Sequence, residues 1–232
     1  FFSRMVRKTP WVRMKIAASL DGKTALPNGA SQWITSPEAR ADGHAWRARA
    51  CAILTGIGTV LRDQPRLDVR MVETQRQPHI VVVDSQLQTP ENAPLFIADR
   101  AVYIYTSTQN TAKSATLEAR GAKVICLPGV FPDGTPTGKV DLAAMLKDLG
   151  QREINELHVE AGHKLNGSLV REGLVDEFLL YLAPKLMGQG AGIADFGPLT
   201  DLTQAVPLTF QSAERVGPDL RVLARVTGRD QF

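Results

Sequence analysis

The segment CAILTGIGTVL, residues 51–61, decides the fold class because it carries both a strand and the start of a helix. Residues 51–55 form an apolar run of strand length. Gly56-Ile57-Gly58 interrupts that run before a short helical turn through Leu61, and glycine lets a helix pack closely on its strand. This order of strand, glycine and helix is typical of α/β proteins with parallel strands.

The same alternation extends along the chain in both directions. Strands are predicted at residues 12–19, 51–55, 79–83, 102–106, 123–127, 156–159, 177–182, 208–216 and 220–227. Helices are predicted at 36–50, 56–61, 111–120, 142–149 and 164–172, and the Pro- and Gly-rich residues 128–139 are predicted to be a loop. We therefore expect an α/β fold whose mainly parallel central sheet is flanked by helices and ends in an antiparallel C-terminal hairpin.

Bulk composition limits the classes of function. The 232 residues fit one large domain, and 44% of them are apolar. No apolar run approaches the roughly 20 residues of a membrane span, and the start lacks a signal-peptide pattern, so we expect a soluble cytoplasmic protein without a membrane partner. The net charge is only +3 and no contiguous basic track is present, so no nucleic-acid partner is expected.

Cysteine and histidine spacing gives no metal signature. The two cysteines, Cys51 and Cys126, lie 75 positions apart, and the four histidines are dispersed. Buried free thiols are expected, since a disulfide is improbable in a cytosolic enzyme and no zinc spacing occurs. We therefore predict no metal site.

Polar and glycine residues follow several predicted strands, at 19–22, 55–59, 84–85 and 160–162. Ligands of open α/β sheets bind beyond the carboxyl ends of the strands, so these segments are expected to meet at one edge. In residues 160–168 a carboxylate and a glycine precede a helix start, where free N–H groups favour phosphate. An ordinary strand-to-helix turn explains that pattern equally well.

Basic side chains give weaker signals. Arginines at positions 47, 62, 66 and 70 surround Leu67, and Arg suits bidentate phosphate binding, although each taken alone is more often a solvated surface charge. Arg47 shares a predicted helix face with Arg40 and His44. Lys15 alternates with apolar neighbours in the first strand, and the residues alone favour a side chain directed to solvent.

Six segments then carry a resemblance to a known family. They are RMKIAASLDGKTA (13–25), SQWIT (31–35), ILTGIGTVLRDQPRL (53–67), VVDS (82–85), VEAG (159–162) and LAPKLMG (182–188). Together they closely resemble the reductase domain of the bifunctional riboflavin biosynthesis deaminase–reductase. The resemblance implies a dihydrofolate-reductase-like fold. It also implies NADPH-dependent reduction of 5-amino-6-(5-phosphoribosylamino)uracil, with hydride delivered to C1′ of the ribose.

The resemblance also implies site residues. The catalytic candidates are Lys15, Glu160 and Asp21. The implied NADPH contacts are Ala17, Trp33, Thr59, Asp63, Ser85, Gly162, His163, Lys164, Leu165, Asn166, Gly167 and Ser168. The implied substrate contacts are Ser31, Arg47, Leu67, Arg70 and Glu160, with Arg47 and Arg70 suited to the substrate phosphate.

Domain organisation and partners follow from the same resemblance. Residues 1–10 look like the linker that joins the deaminase to the reductase, and residues 11–232 like the reductase domain. The zinc deaminase signature is absent, so a fused deaminase would belong to a longer protein. We also expect a homodimer. Two departures from many relatives are His163-Lys164 in place of Pro-Thr and Asp68 in place of Thr, and we expect Lys164 to aid NADPH binding.

Two alternatives stay open. One is a reductase of the same fold that acts on another pterin- or pyrimidine-like compound. The other is a catalytically silent module that binds nucleotide or mediates oligomerisation. Arg47 and Arg70 favour a phosphorylated substrate over folate, and the presence of Lys15, Asp21, Arg47 and Glu160 favours a working enzyme.

Overall fold

A computed structural model describes all residues, 1–232. The strands are β1 (Trp11–Ser19), β2 (Ala52–Gly56), β3 (His79–Val83), β4 (Val102–Thr106), β5 (Ala122–Cys126), β6 (Pro128–Val130), β7 (Pro136–Val140), β8 (Glu156–Val159), β9 (Glu177–Ala183), β10 (Leu208–Val216) and β11 (Asp219–Val226). The helices are α1 (Phe2–Arg7), α2 (Pro37–Arg49), α3 (Ile57–Asp63), α4 (Thr111–Ala119), α5 (Leu142–Gln151) and α6 (His163–Arg171), with a 3-10 turn at Leu202–Gln204.

Nine strands form the central sheet in the order β10-β11-β9-β1-β8-β2-β3-β4-β5. All pairs from β9 to β5 are parallel, whereas β11 runs antiparallel to β9 and pairs with β10 as a hairpin. The predicted fold class is therefore confirmed. Because β1, β8, β2 and β3 are parallel, the polar segments that follow them all lie at one edge of the sheet.

Strand β1 is covered on both faces. Val12, Met14, Ile16 and Ala18 are buried in the same apolar cluster as the inward side chains of α5 and α6. The opposite face carries Arg13, Lys15 and Ala17 and lies against α2, where the Arg13 guanidinium stacks 4.4 Å from the centre of the Trp46 ring. The basic side chains of β1 are thus held between the sheet and a helix.

Helix α2 begins as its sequence predicts. The Ser36 hydroxyl accepts a hydrogen bond from the Ala39 amide at 3.2 Å, and Pro37 occupies the first helical position. The helix ends at Arg49, where Ala50 leaves the helical conformation. This start and stop fix where Arg47 stands relative to the sheet.

The predicted loop at 128–139 is wrong. Residues 128–130 and 136–140 form the two-stranded hairpin β6–β7, in which Pro128 pairs with Val140. Each strand begins with proline, which is tolerated at a first strand position because no ladder donor is lost there. The short strands and their Pro and Gly content hide the hairpin in the sequence.

Residues 2–7, part of the segment expected to be a linker, form the helix α1. Its Arg4 donates to the Asn155 side chain at 2.7 Å, and Arg7 pairs with the buried carboxylate of Asp176 at 2.9 Å. The helix therefore packs on the sheet domain, and a boundary between residues 10 and 11 stays a prediction. No helix of the structure has the length and apolar character needed to cross a membrane.

Candidate active site

A buried ion pair lies at the carboxyl end of β8. The Arg47 guanidinium, on the last turn of α2, donates to Oε1 and Oε2 of Glu160 at 2.5 and 2.8 Å. A third guanidinium N–H donates to the backbone carbonyl of Asp68 at 3.1 Å. Only 16% of the Arg47 side chain and 14% of the Glu160 side chain are exposed, so solvent screens this pair little.

The pair fixes the charge of both members. Burial alone would raise the pKa of Glu160, but the charge and hydrogen bonds of Arg47, together with the charge of Lys15, hold that pKa well below its ordinary value. Burial likewise works against the Arg47 guanidinium, and the Glu160 charge raises the Arg47 pKa above its ordinary value. Glu160 is therefore a hydrogen-bond acceptor at neutral pH, with no proton of its own to donate.

Lys15 lies beside this pair, on the α2 side of β1. Burial lowers the pKa of its ammonium, Glu160 opposes that shift and Arg47 adds to it. A Cβ built on Gly43 of α2 would stand 3.8 Å from Cε of Lys15, which shows how closely the helix passes. Lys15 therefore does not point to open solvent, contrary to what the residues alone favoured.

Two histidines to which the sequence analysis assigns no role support the cluster. His158 is fully buried, and its Nε2 lies 3.4 Å from Oε1 of Glu160, too poorly aligned for a hydrogen bond. His44 accepts a hydrogen bond at Nδ1 from the Arg70 amide at 3.3 Å. Burial lowers the pKa of both, that of His44 to about 4, so both rings are neutral at pH 7. The two-residue spacing of His158, on β8, and Glu160, directly after β8, is the signal that would have revealed the first.

The second predicted phosphate ligand, Arg70, is more open. Its guanidinium pairs with Asp68 at 2.5 Å, and 55% of its side chain is exposed. Asp68 is also paired with Arg66 at 2.9 Å. Leu67 differs from the expectation in one respect, because its side chain is buried in the core and its carbonyl accepts from Arg100. The Leu67 side chain is therefore not available to contact a substrate.

The carboxylate of Asp21 is engaged in hydrogen bonds that hold a turn. It accepts hydrogen bonds from the Ser19 hydroxyl and from the amides of Met187 and Gly188, which lower its pKa to about 2. No contact joins it to Lys15 or Glu160. The structure therefore brings two of the three predicted catalytic residues together and uses the third to tie the segment after β1 to residues 187–188.

The predicted cofactor segment 162–168 divides into two parts. Helix α6 starts after the exposed Gly162, which offers no side-chain cap, so its first amides are open to an anion, and Lys164 is exposed beside them. These features fit a dinucleotide phosphate. Asn166 and Gly167 are buried instead, Asn166 donating to the Ile193 carbonyl at 3.0 Å and Gly167 lying against the backbone of Asp195.

The remaining predicted contacts differ in their exposure and surroundings. Trp33 is 63% exposed, and the Arg40 guanidinium stacks 4.4 Å from its ring centre. Ser31 and Asp63 line one open cleft. Ala17, Thr59 and Ser85 are half-buried, and the Ser85 hydroxyl accepts from the Val140 amide at 3.3 Å. Ser31 and Asp63, 32 positions apart in sequence, are thus brought together.

Neither a metal-binding cluster nor a deep depression coincides with this site. No group of three or more His, Cys, Asp or Glu side chains is close enough to hold a metal ion. An open depression between α2 and residues 72–76 contains none of the predicted site residues.

Relatives with the same architecture are known. The riboflavin biosynthesis protein RibD of Escherichia coli (strain K12) is 36% identical over 225 residues, which is 95% of this chain and 61% of that protein. Acinetobacter baumannii RibD (form 2) superposes with a TM-score of 0.83 at 29% identity, over 98% of this chain and 60% of that one. A Thermotoga maritima protein, described as a diaminohydroxyphosphoribosylaminopyrimidine deaminase/5-amino-6-(5-phosphoribosylamino)uracil reductase, superposes with a TM-score of 0.77 at 25% identity, over 97% and 59%.

These likenesses confirm the dihydrofolate-reductase-like fold. The chain spans about three-fifths of the length of the curated relatives it matches. Residues 10–222 match the family described as the RibD C-terminal domain, and the chain belongs to that family.

Proposed function

We propose that the chain reduces the ribose of 5-amino-6-(5-phosphoribosylamino)uracil to the ribitylamino product, with NADPH as the hydride source. The observation that carries the proposal is the buried Arg47–Glu160 pair with Lys15 beside it, at the sheet edge where α/β proteins bind ligands. Membership of the RibD C-terminal domain family and the reductase named for the Thermotoga maritima relative support it.

The reaction requires one hydride and one proton. The bond between C1′ and the ring oxygen breaks, a C1′–H bond forms, and the ring oxygen gains hydrogen to become a hydroxyl. NADPH supplies the hydride when bound. The chain must hold both molecules in contact and deliver the proton to the ring oxygen.

Lys15 is the proton donor in this proposal. Its burial lowers the pKa of the ammonium, which makes Lys15 a stronger acid than an exposed lysine. Glu160 cannot take that role, because its pKa is held well below the ordinary value and it remains ionised. We assign Glu160 to accepting hydrogen bonds from the ribose hydroxyls and to holding the ammonium of Lys15.

Arg70 is the main phosphate ligand in the proposal. Arg47 already gives two N–H groups to Glu160, whereas more than half of the Arg70 side chain is exposed, with one carboxylate partner. The open amides at the start of α6, together with Lys164, Trp33, Thr59 and Asp63, are assigned to NADPH. Asn166 and Gly167 act in this scheme by holding α6 against residues 193–195.

The test measures NADPH oxidation by the purified chain, with and without the deaminated phosphoribosylaminopyrimidine. Wild-type protein is expected to oxidise NADPH only when that pyrimidine is present. Arg47→Ala and Glu160→Ala should lose activity, while Arg49→Ala, on the same helix and half exposed, should keep it. A folded wild-type chain that binds NADPH without oxidising it would favour the silent module. Turnover of a dihydropterin instead would favour the other reductase.

We also propose a homodimer, with the second copy covering the free edge of the sheet. Strand β10 pairs only with β11 and exposes the apolar side chains of Leu208 and Phe210, the latter to 74%. Exposed apolar residues on an unpaired edge strand favour association. Light scattering should give twice the chain mass for wild type and a lower mass for Phe210→Ser. An unchanged mass for the variant would remove this surface from the interface.

The assignment of residues 1–10 to a linker, behind a fused deaminase, is a proposal of the same kind. The chain covers about 60% of its curated relatives, which leaves room for a further domain in them. Sequencing the reading frame upstream of residue 1 tests it. An H-x-E segment with a later P-C-x-x-C is expected there, and a stop codon in its place would refute the assignment.

A further inference from the structure

A buried aromatic ring lies under the ammonium of Lys15. Strand β9 pairs with β1 so that Leu179 stands opposite Lys15 and Tyr181 opposite Ala17, which places Lys15 and Tyr181 on the same face of the sheet. Nζ of Lys15 lies 5.8 Å from the centre of the Tyr181 ring. The ammonium makes no side-chain hydrogen bond or close ion pair, so the ring face is a direct partner of the charge.

The Tyr181 ring is itself clamped from behind. Its side chain is 1% exposed, and its hydroxyl donates to Oδ2 of Asp42 on α2. Arg221 of β11 donates to both oxygens of Asp42 at 3.0 Å and to Glu214 at 2.6 Å. Burial, with Asp42 as the next cause, raises the pKa of Tyr181, so the phenol stays neutral and keeps donating to Asp42.

We propose that Tyr181, held by Asp42, is a positioning residue: its ring fixes the Lys15 ammonium so that it points toward Glu160 and the ribose. The kinetic part of this inference rests on the proposed function. The contact between the Lys15 ammonium and the Tyr181 ring does not depend on that function, so it can be tested without turnover. Neither Tyr181 nor Asp42 touches the substrate or cofactor in this scheme.

The charged and titratable groups that face Lys15 determine in which direction its pKa shifts when the Tyr181 ring is removed. Glu160 at the end of β8 favours the ammonium, whereas Arg47 on α2 and burial oppose it. Burial, followed by other causes that include the Lys15 charge, lowers the pKa of His158 on β8, so its ring is neutral and adds no charge of its own. The Tyr181 ring on β9 adds attraction to the ammonium, so removing the ring lowers the Lys15 pKa further.

The chain contains a matched control for the loss of a clamped tyrosine. Tyr105 of β4 is fully buried, its hydroxyl donates to Asp148 of α5 at 2.5 Å, and Arg152 pairs with the same carboxylate at 2.6 Å. This repeats the Tyr–Asp–Arg arrangement away from Lys15. Replacing Tyr105 removes an equivalent ring and hydrogen bond from the core and leaves the contact between Lys15 and the Tyr181 ring intact.

The first measurement is the pKa of Lys15 in protein labelled with ¹³C-lysine, from the Cε resonance assigned with Lys15→Arg. Tyr181→Leu is expected to lower that pKa by roughly 0.5–1 unit, the size of a partly desolvated cation–π contact. Tyr105→Leu should leave it unchanged. An unchanged Lys15 pKa in folded Tyr181→Leu, or an equal shift in both variants, would overturn the proposal.

The second measurement is the kinetics of milder variants, which test the proposal even if Tyr181→Leu does not fold. Tyr181→Phe and Asp42→Asn keep the ring but weaken its clamp, so kcat should fall about threefold to tenfold while KM for NADPH stays the same. An unchanged kcat in both would overturn the positioning role. If wild type oxidises no NADPH, the proposed function fails. The Lys15 pKa still decides whether the Tyr181 ring stabilises the Lys15 ammonium.

Discussion

The carboxylate of Glu160 receives two hydrogen bonds from the guanidinium of Arg47, at 2.5 and 2.8 Å, across 113 positions of sequence. Both side chains are largely removed from solvent. Loss of either partner leaves the other charge buried and uncompensated, which costs far more than the pair itself contributes. The pair is therefore the electrostatic centre of the candidate site.

A double-mutant cycle tests that coupling. Arg47→Leu and Glu160→Leu should each lower the free energy of unfolding by about 3–5 kcal/mol. The double variant should recover part of that loss, because neither charge of the pair is then left buried without its partner. Urea denaturation measures all three variants, and strictly additive losses would show that the two side chains are not coupled.

Acid should weaken the fold through Glu160. The pKa of this carboxyl is well below 4.5 in the folded state, so its contribution to stability is complete above 4.5 and is lost as pH falls toward the folded-state pKa. Glu160→Gln should therefore show a shallower decline of unfolding free energy between about pH 6 and about pH 3. The exposed Glu118→Gln serves as control and should follow wild type.

Arg70 should act on substrate binding. A phosphate contact distant from C1′ is equally strong in the ground and transition states, so Arg70→Ala should raise KM for the pyrimidine about tenfold or more and leave kcat nearly unchanged. Arg66→Ala removes the other partner of Asp68 and should have a much smaller effect. Equal effects of the two variants would mean that Arg70 acts only through Asp68.

Lys164 should act on the cofactor. Its exposed ammonium near the start of α6 is unfavourable for the helix dipole unless an anion pairs with it. Lys164→Ala should raise KM for NADPH about threefold to tenfold without changing KM for the pyrimidine. Lys147→Ala, an exposed lysine on α5, is the control. An unaltered KM for NADPH in Lys164→Ala would remove this role.

Much of the fold follows from local sequence signals. The β-branched run at 79–83 ends at Asp84, and its predicted bounds agree with β3. The parallel order of the strands then places the polar segments after β1, β8, β2 and β3 at one edge. The β6–β7 hairpin was not predicted, because strands this short carry little periodicity and both begin with proline.

The site was predictable only in part. Strand ends and the family resemblance indicate Glu160 and Lys15, and the spacing of two residues along one strand would have added His158. Contacts between distant elements have no such signal. The hydrogen bond of Tyr181 to Asp42 spans 139 positions, and only the packing of α2 on β9 creates it. The same packing encloses Lys15, which the isolated strand pattern directed to solvent.

The central claim is hydride delivery to C1′ of a phosphorylated ribosylaminopyrimidine at the Arg47–Glu160–Lys15 cluster. Turnover with NADPH that carries deuterium at both hydrogen positions of nicotinamide C4, followed by NMR of the product, measures it directly. We predict one deuterium on C1′ of a ribitylamino product, formed by wild type and not by Glu160→Ala. No deuterium at C1′ with a folded, NADPH-binding wild-type chain would contradict the account.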